Sequence, residues 1–305
     1  MKTTVSLVLG SGGARGYSHI GVIEELNRRG YDIVCIAGSS MGALIGGMYA
    51  AGRLDEYRDW VISLKRFDVL KLMDLTLRGE GTIRGERLLR KLQEIVGDPL
   101  IEELPISYTA VATDLTHQKE VWFQRGSLLE AIRASIAVPG FFTPVIEADR
   151  VLVDGGVLNP IPIIPTVAAH ADLIIAVDLN ADVQRHRVTL PDNQFLERSG
   201  FSDDWQLDMG AQIKSETIKP EKIKQRLAKG APPKAVSRID VLFNSVEVMQ
   251  ASLGKYKVAG YPPDQLICIP KEACRFYDFH RAKEMIELGR LVAQESLMQM
   301  EKSMR

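Results

Sequence analysis

Three stretches of this sequence set residue types at spacings that chemistry could use. The first is Gly38-Ser39-Ser40-Met41-Gly42, a G-x-S-x-G. A serine attacks an ester well when its hydroxyl stands clear on a tight turn, near a base and near N–H groups that can hold negative charge. Glycines on either side, here Gly38 and Gly42, remove side chains that would collide with neighbouring backbone in such a turn. The second stretch is Gly10-Ser11-Gly12-Gly13-Ala14-Arg15-Gly16, whose backbone N–H groups are free to meet an anion. The third is Val151-Leu152-Val153-Asp154-Gly155-Gly156, which delivers an aspartate onto a Gly-Gly turn. Asp154 reads either as a general base at a strand end or as an ordinary Asp-Gly turn.

The elements around these stretches must aim them. Asp32–Ala37 is apolar and β-branched, and predicts a strand ending at the serine motif. Ala43–Ala51 predicts a helix stopped by Gly52, so Ser40 falls on a strand-to-helix turn. Gly42, Ala43, Gly46, Gly47, Ala50 and Ala51 lie on one nearly bare face of that helix, which lets it press closely on a sheet. Val5–Leu9 predicts a first strand, followed by the glycine loop and a helix through Arg29 with Gly30 as its C-terminal cap. A dinucleotide fingerprint is the competing reading of that loop. Its spacing is wrong, and Asp32 precedes the second strand where a ribose ligand should follow it. Two glycine loops at neighbouring strand ends favour an oxyanion hole facing a nucleophile.

Further along, residues 60–77 are rich in large apolar side chains with Lys65, Arg66 and Lys71 interleaved. They read as a lid or acyl-binding wall, or as a pair of core helices. Arg84–Val96 predicts an amphipathic helix with Leu88, Leu89, Leu92 and Ile95 inward, after a loop at residues 79–82. Ser107–Thr113 and Glu120–Phe123 predict a hairpin whose turn Asp114 caps, and Ser127 caps a helix to Ile136. The proline-stiffened loop 137–144 is placed to line a pocket. Val167–Ala171 closes a short helix before a buried strand at Leu173–Asp178. Residues 181–237 form a polar insertion with a lysine-rich part at 214–234, read as a solvated excursion that could meet phosphate headgroups. A helix over Ile239–Val258, a strand at Gln265–Ile269 and a final helix capped by Asp278 complete one domain over residues 1–305.

Composition narrows the class of function. The chain has 305 residues, 46% apolar and 25% charged, with 38 basic and 39 acidic side chains for a net charge of −1. That balance argues against a nucleic-acid partner. Cys35, Cys268 and Cys274 have neither metal-ligand nor disulfide-framework spacing, so no metal is expected and a reducing, cytoplasmic compartment is. No apolar run approaches a transmembrane length, and Met1–Thr4 leads straight into a strand without the pattern of a signal peptide.

The order of strand, glycine loop, helix, strand, G-x-S-x-G, helix and a later strand ending in Asp-Gly-Gly resembles the patatin-like phospholipase family, bacterial members included. The likeness runs from Gly10 to Gly156 in its motifs and extends to the Asp278-Phe279-His280-Arg281-Ala282 helix start. It implies a three-layer α/β/α sandwich with a largely parallel central sheet. It implies Ser40 as nucleophile and Asp154 as its sole catalytic partner and general base. It implies an oxyanion hole from the amides of Gly12 and Gly13, with Arg15 nearby, no cofactor, and a lipid or acyl-ester substrate met at a membrane surface. One departure is Ser11, which stands where the family loop often has its first glycine; a serine still offers its N–H.

The histidines bear on the same point. An ordinary α/β-hydrolase needs a late histidine as base. His19, His117, His170, His186 and His280 are the five present, and only His280 is late, in the first turn of a helix. Without a histidine, Asp154 must take the Ser40 proton itself, which requires burial to raise its pKa or proton transfer in concert with attack. The resulting expectation is a serine acyl hydrolase of phospholipids, lysophospholipids or related esters working through a Ser-Asp dyad. The alternatives are a Ser-His-Asp esterase using His280 and a non-catalytic lipid-binding regulator on the same fold.

Overall fold

The computed structural model of the chain describes residues 2–72, 85–181 and 238–304. The loop at 79–82, the end of the apolar stretch at 73–78 and the polar insertion with its lysines (182–237) lie outside the described residues.

The strands are β1 Thr4–Leu9, β2 Asp32–Ser39, β3 Ser107–Asp114, β4 Lys119–Phe123, β5 Val145–Glu147, β6 Arg150–Asp154, β7 Leu173–Ala181 and β8 Gln265–Pro270. They form one eight-stranded sheet in the order β5-β6-β3-β2-β1-β7-β8, with β4 paired to β3. The pairs β3-β2, β2-β1, β1-β7 and β7-β8 are parallel, and β4, β5 and β6 add antiparallel strands at one end. Buried parallel strands are apolar on both faces, and β1 shows it: Val5, Leu7 and Leu9 face one layer while Val8 joins Ile161, Ile163 and Ala176 in the other.

The helices are α1 Ser18–Arg29, α2 Met41–Ala50, α3 Leu54–Ser63, α4 Arg66–Leu72, α5 Glu86–Val96, α6 Leu128–Ser135, α7 Arg238–Gly260 and α8 Ala282–Ser303. Buried side chains of α1, α2, α6 and α8 build the larger core on one face of the sheet. On the other face lie the segment around Ile161–Ile163 and Val258 of α7. The outcome is the sandwich expected from the sequence, a mixed and mostly parallel sheet with helices on both sides.

Several boundaries differ from expectation, each for a local reason. The glycine loop runs first into a 3-10 turn at Gly13–Tyr17, and the α-helix begins only at Ser18. The segment expected as a helix at Val167–Ala171 is a 3-10 stretch over Ile164–Ala169 with proline at its start. Strand β5 was not read from the sequence; three residues with one apolar face give too short a period to see. Asp278 does not cap the last helix. Its carboxylate accepts from the upstream Arg275 amide at 3.1 Å, a 3-10 turn follows, and α8 starts at Ala282 with no side-chain cap. Asp114 does cap its turn, accepting from the Thr116 and His117 amides at 2.9 and 3.1 Å.

The bare face of α2 is what seats the serine turn. A Cβ on Gly42 would stand 2.0 Å from the Leu9 carbonyl oxygen, and one on Gly46 would meet Ile36 at 2.7 Å. Backbone cannot yield as a side-chain tip can. Gly42→Ala is therefore expected to cost about 3 kcal/mol or more, at the upper end of overpacking effects, read as a fall of several degrees or more in Tm. A melting curve within a degree of wild type would contradict this packing.

Candidate active site

Ser40 joins β2 to α2 with φ 57° and ψ −125°. A non-glycine residue held at positive φ stores about 1–3 kcal/mol and persists only where its surroundings enforce it. The enforcement is visible. The Ser40 N–H donates to Ser135 Oγ at 2.9 Å, and that hydroxyl donates to the Val111 carbonyl at 2.6 Å. Ser135 lies on α6, and nothing in the sequence distinguished it from a small residue on a helix face. Gly38 is needed as well, since a Cβ there would stand 2.4 Å from the Gly42 carbonyl.

Register brings the aspartate to the serine. On β3, Val111 pairs with Ser39 of β2, and the next residue, Ala112, pairs with Asp154 of β6. The two strands end on consecutive positions of a shared neighbour. A Cβ on Gly155 would lie 2.7 Å from Ser39 Oγ and 2.1 Å from the Val111 carbonyl, so Asp154 must be followed by glycine to sit there. Asp154 is 1% exposed. Its Oδ1 accepts from the Gly156 N–H at 2.7 Å. Burial pushes its carboxyl from the ordinary 3.8 up to about 7, and the Ser40 hydroxyl and the Gly156 amide pull the other way. Oδ2 has no closed hydrogen bond among the described residues although Ser40 is near enough to act on the group. Unliganded catalytic contacts are often long in this way.

The glycine loop packs against both turns: a Cβ on Gly156 would stand 2.6 Å from Ser11 Oγ, and one on Gly16 would stand 2.3 Å from Met41 Cβ. The Gly10 N–H donates to Val177, Ser11 to Pro160 and Ala14 to Phe276, at 3.1, 2.9 and 2.8 Å. Between them, the Gly12 and Gly13 amides have no partner among the described residues. Gly13 has φ +58°, and a Cβ there would stand 2.4 Å from the Phe276 carbonyl. Arg15 departs from the expectation of an arginine at an oxyanion hole. Its buried guanidinium donates to the Lys271 and Cys274 carbonyls, to Asn180 Oδ1 at 3.0 Å and to Glu247 Oε1 at 2.6 Å. It ties the loop to later elements, with only its Nε left without a partner among the described residues.

No histidine among the described residues hydrogen-bonds Ser40 or Asp154; His186 lies outside them. His19 is buried, and its Nε2 faces the Gly10 carbonyl at 2.8 Å. Burial lowers its pKa to about 4, so the ring is neutral and Nε2–H donates. His117 pairs with Asp114, with Nδ1 2.8 Å from Oδ2. His170 is exposed in a left-handed turn, and His280 occupies the 3-10 turn before α8.

Ser40 lines a cavity that is otherwise mostly aliphatic and aromatic, walled by Leu44, Trp60, Leu64, Leu88, Phe141 and Phe142 among others. About 80 Å³ of it is open to the centre of a water-sized sphere. Helices α3 and α4, from the described part of the apolar stretch, and the loop after α6 contribute side chains to its lining. Two buried tyrosines, Tyr17 and Tyr57, also line it and spend their hydroxyls on each other. No three-member cluster of His, Cys, Asp or Glu suited to a metal occurs among the described residues.

Fold and site together describe an α/β protein in which a serine elbow lines an apolar cavity, with a buried aspartate beside the serine and a glycine loop packed against both turns. Residues 7–167, which span all three motifs, match the family described as patatin-like phospholipase, and the chain belongs to that family. It is 41% identical over 329 aligned residues to uncharacterized NTE family proteins of Mycobacterium tuberculosis and Mycobacterium bovis, covering 96% of this chain and 91% of theirs. It is 33% identical to lysophospholipase NTE1 of Yarrowia lipolytica over 58% of this chain and 13% of that one. For patatin-like phospholipase domain-containing protein 6 of Mus musculus the identity is 32%, over 62% of this chain and 14% of the mouse protein. Among solved structures, VipD from Legionella pneumophila aligns with a TM-score of 0.46 at 16% identity, covering 99% of this chain and 67% of that one.

Proposed function

We propose that this chain is a serine acyl hydrolase that cleaves lipid acyl esters through a Ser40–Asp154 dyad. The observation that carries the reading is the buried Asp154 carboxyl, raised to about 7 and beside Ser40, with no histidine at hand among the described residues. A base titrating near neutrality suits removal of a hydroxyl proton far better than an ordinary carboxylate. Ionised Asp154 takes the Ser40 proton as Oγ attacks the ester carbonyl. The oxyanion accepts hydrogen bonds from the Gly12 and Gly13 amides, each worth about 3 kcal/mol in comparable holes. Collapse expels the alcohol, which leaves with the proton from Asp154. Water then attacks the acyl-enzyme, Asp154 accepts its proton, and Ser40 is released with that proton returned.

The apolar cavity supports an acyl chain as the substrate part bound. Family membership supports a lipid ester, and the name of the yeast relative supports lysophospholipids among such esters. No described helix is long and apolar enough to cross a membrane. A lipid-ester substrate supports a reading in which the protein meets the lipid surface peripherally, from the cytoplasm. A fluorophosphonate probe and a panel of esters of graded chain length test it. Labelling at Ser40 with turnover is expected; a folded protein that is neither labelled nor active would be a lipid binder instead.

The same panel tests the cavity. Leu88→Trp puts a larger ring into the wall of the cavity that Ser40 also lines. It is expected to lower kcat/KM for long-chain esters about tenfold or more while changing a short-chain ester by about twofold or less. An equal loss for both would place the acyl chain elsewhere.

A further inference from the structure

Helix α7 turns a polar stripe inward. Glu247, Gln250, Gly254 and Lys257 recur at i, i+3, i+7 and i+10, one face of the helix. Each meets a segment that holds the candidate site. Glu247 Oε1 accepts from Arg15 at 2.6 Å, two residues beyond Gly13. Gln250 is 4% exposed, and its Nε2 lies 2.5 Å from where a Cβ on Gly156 would stand. Ser11 Oγ of the glycine loop lies 2.6 Å from that same point. Gly254 packs on Pro160 and Ile161, just past the Asp-Gly-Gly turn. Lys257 donates to Glu120 Oε1 at 2.6 Å, and Glu120 Oε2 accepts from Asn159 at 2.9 Å. Asn180 completes the tie, donating to the Ser11 carbonyl at 3.0 Å while accepting from Arg15.

These contacts join parts that the sheet leaves separate. The glycine loop follows β1 and the Asp154 turn follows β6, with β2 and β3 between those strands. Sheet hydrogen bonds therefore do not hold the Gly12 and Gly13 amides directly against Asp154. Stability alone is a poor reason for the contact, because Gln250 Oε1 and Ser11 Oγ are buried with no partner among the described residues. Each such group costs about 1–3 kcal/mol.

We infer that α7 is the splint of the site, and that Gln250, with Glu247, is a positioning residue setting the glycine-loop amides against the Asp154 turn. This rests on the dyad reading above. Gln250 acts through Gly156, whose N–H on Oδ1 helps hold the Asp154 pKa down. The charged side chains nearest that role among the described residues are committed elsewhere: Asp114 to His117, Glu247 to Arg15 and Lys257 to Glu120. Loosening the turn weakens the Gly156 bond, so the Asp154 pKa must rise further.

The test is Gln250→Met, which keeps the bulk without polar atoms, read by the ¹³C carboxyl titration of Asp154 in aspartate-labelled protein, with Asp154→Asn assigning the resonance. A pKa about half a unit or more above wild type is expected. In ester assays kcat should fall about tenfold or more with KM within about twofold, and the rising limb of the pH profile should move up with the pKa. A folded variant that loses Tm but keeps both the wild-type pKa and the wild-type kcat would overturn the inference. Should Gln250→Met fail to fold, Gln250→Asn, one methylene shorter, is read the same way. The titration needs no turnover, so an inert wild type would sink the hydrolase reading while the resonance still decides the splint.

Discussion

Asp154→Asn should lose about 10³-fold or more in turnover and, at pH 8, melt higher than wild type. The first half follows from removing the group proposed to take the Ser40 proton, beside which no histidine stands among the described residues; general-base catalysis is worth about 10²–10⁴. Asparagine keeps the acceptor for Gly156 but cannot accept a proton. The second half follows from linkage. The folded carboxyl titrates at about 7 against an ordinary 3.8. A group raised in the folded state supports folding below its unfolded pKa, and that support is lost as pH rises through the folded value. Wild type thus carries a buried carboxylate above neutrality that the asparagine variant does not. The variant's advantage should reach a few kcal/mol at pH 8 and shrink toward nothing below pH 4. Melting both proteins across that range checks it; an asparagine variant weaker at pH 8 would mean that the carboxylate holds the turn together. In wild type, kcat/KM should rise with pH through about 7, since Asp154 must be ionised to act. Exchanging His117, His170 or His280 for glutamine should leave turnover within a few-fold of wild type. One of them as dead as Asp154→Asn while folded would replace the dyad with a triad.

Ser40→Ala should abolish both fluorophosphonate labelling and ester turnover, a loss of about 10³-fold or more for a nucleophile. The backbone should barely notice, because alanine keeps the Cβ and the Ser40 N–H still reaches Ser135. The companion Ser40→Gly is equally dead but relieves a residue held at φ 57°, and should gain up to about 1 kcal/mol. A glycine variant less stable than alanine would mean that the elbow carries no strain. Residual turnover above about 1% in a cleanly folded Ser40→Ala protein would remove Ser40 from the mechanism.

Much of this was legible in the chain itself. Apolar runs between glycine turns marked β1, β2 and β7, because buried parallel strands tolerate few polar residues. Gly38, Gly42, Gly155 and the bare face of α2 announced close backbone approach, and the structure shows carbonyls within 2.0–2.4 Å of the missing Cβ atoms at Gly42, Gly38 and Gly155. Those are local constraints, written where they act. What joins the pieces is not local. Nothing near Asp154 in sequence says that β6 registers on β3 one residue beyond Ser39, and that register alone brings the carboxyl to the serine. Whether an Asp-Gly turn is a surface turn or a buried base is decided by desolvation, a property of everything packed around it. Arg15 shows the limit most plainly. The family resemblance set it near an oxyanion hole, yet Asn180 and Glu247, 165 and 232 residues away, accept hydrogen bonds from its guanidinium. Ser135 and Gln250 gave no signal at all, because a small or polar residue on a helix acquires meaning only from the segment that tertiary packing sets against it.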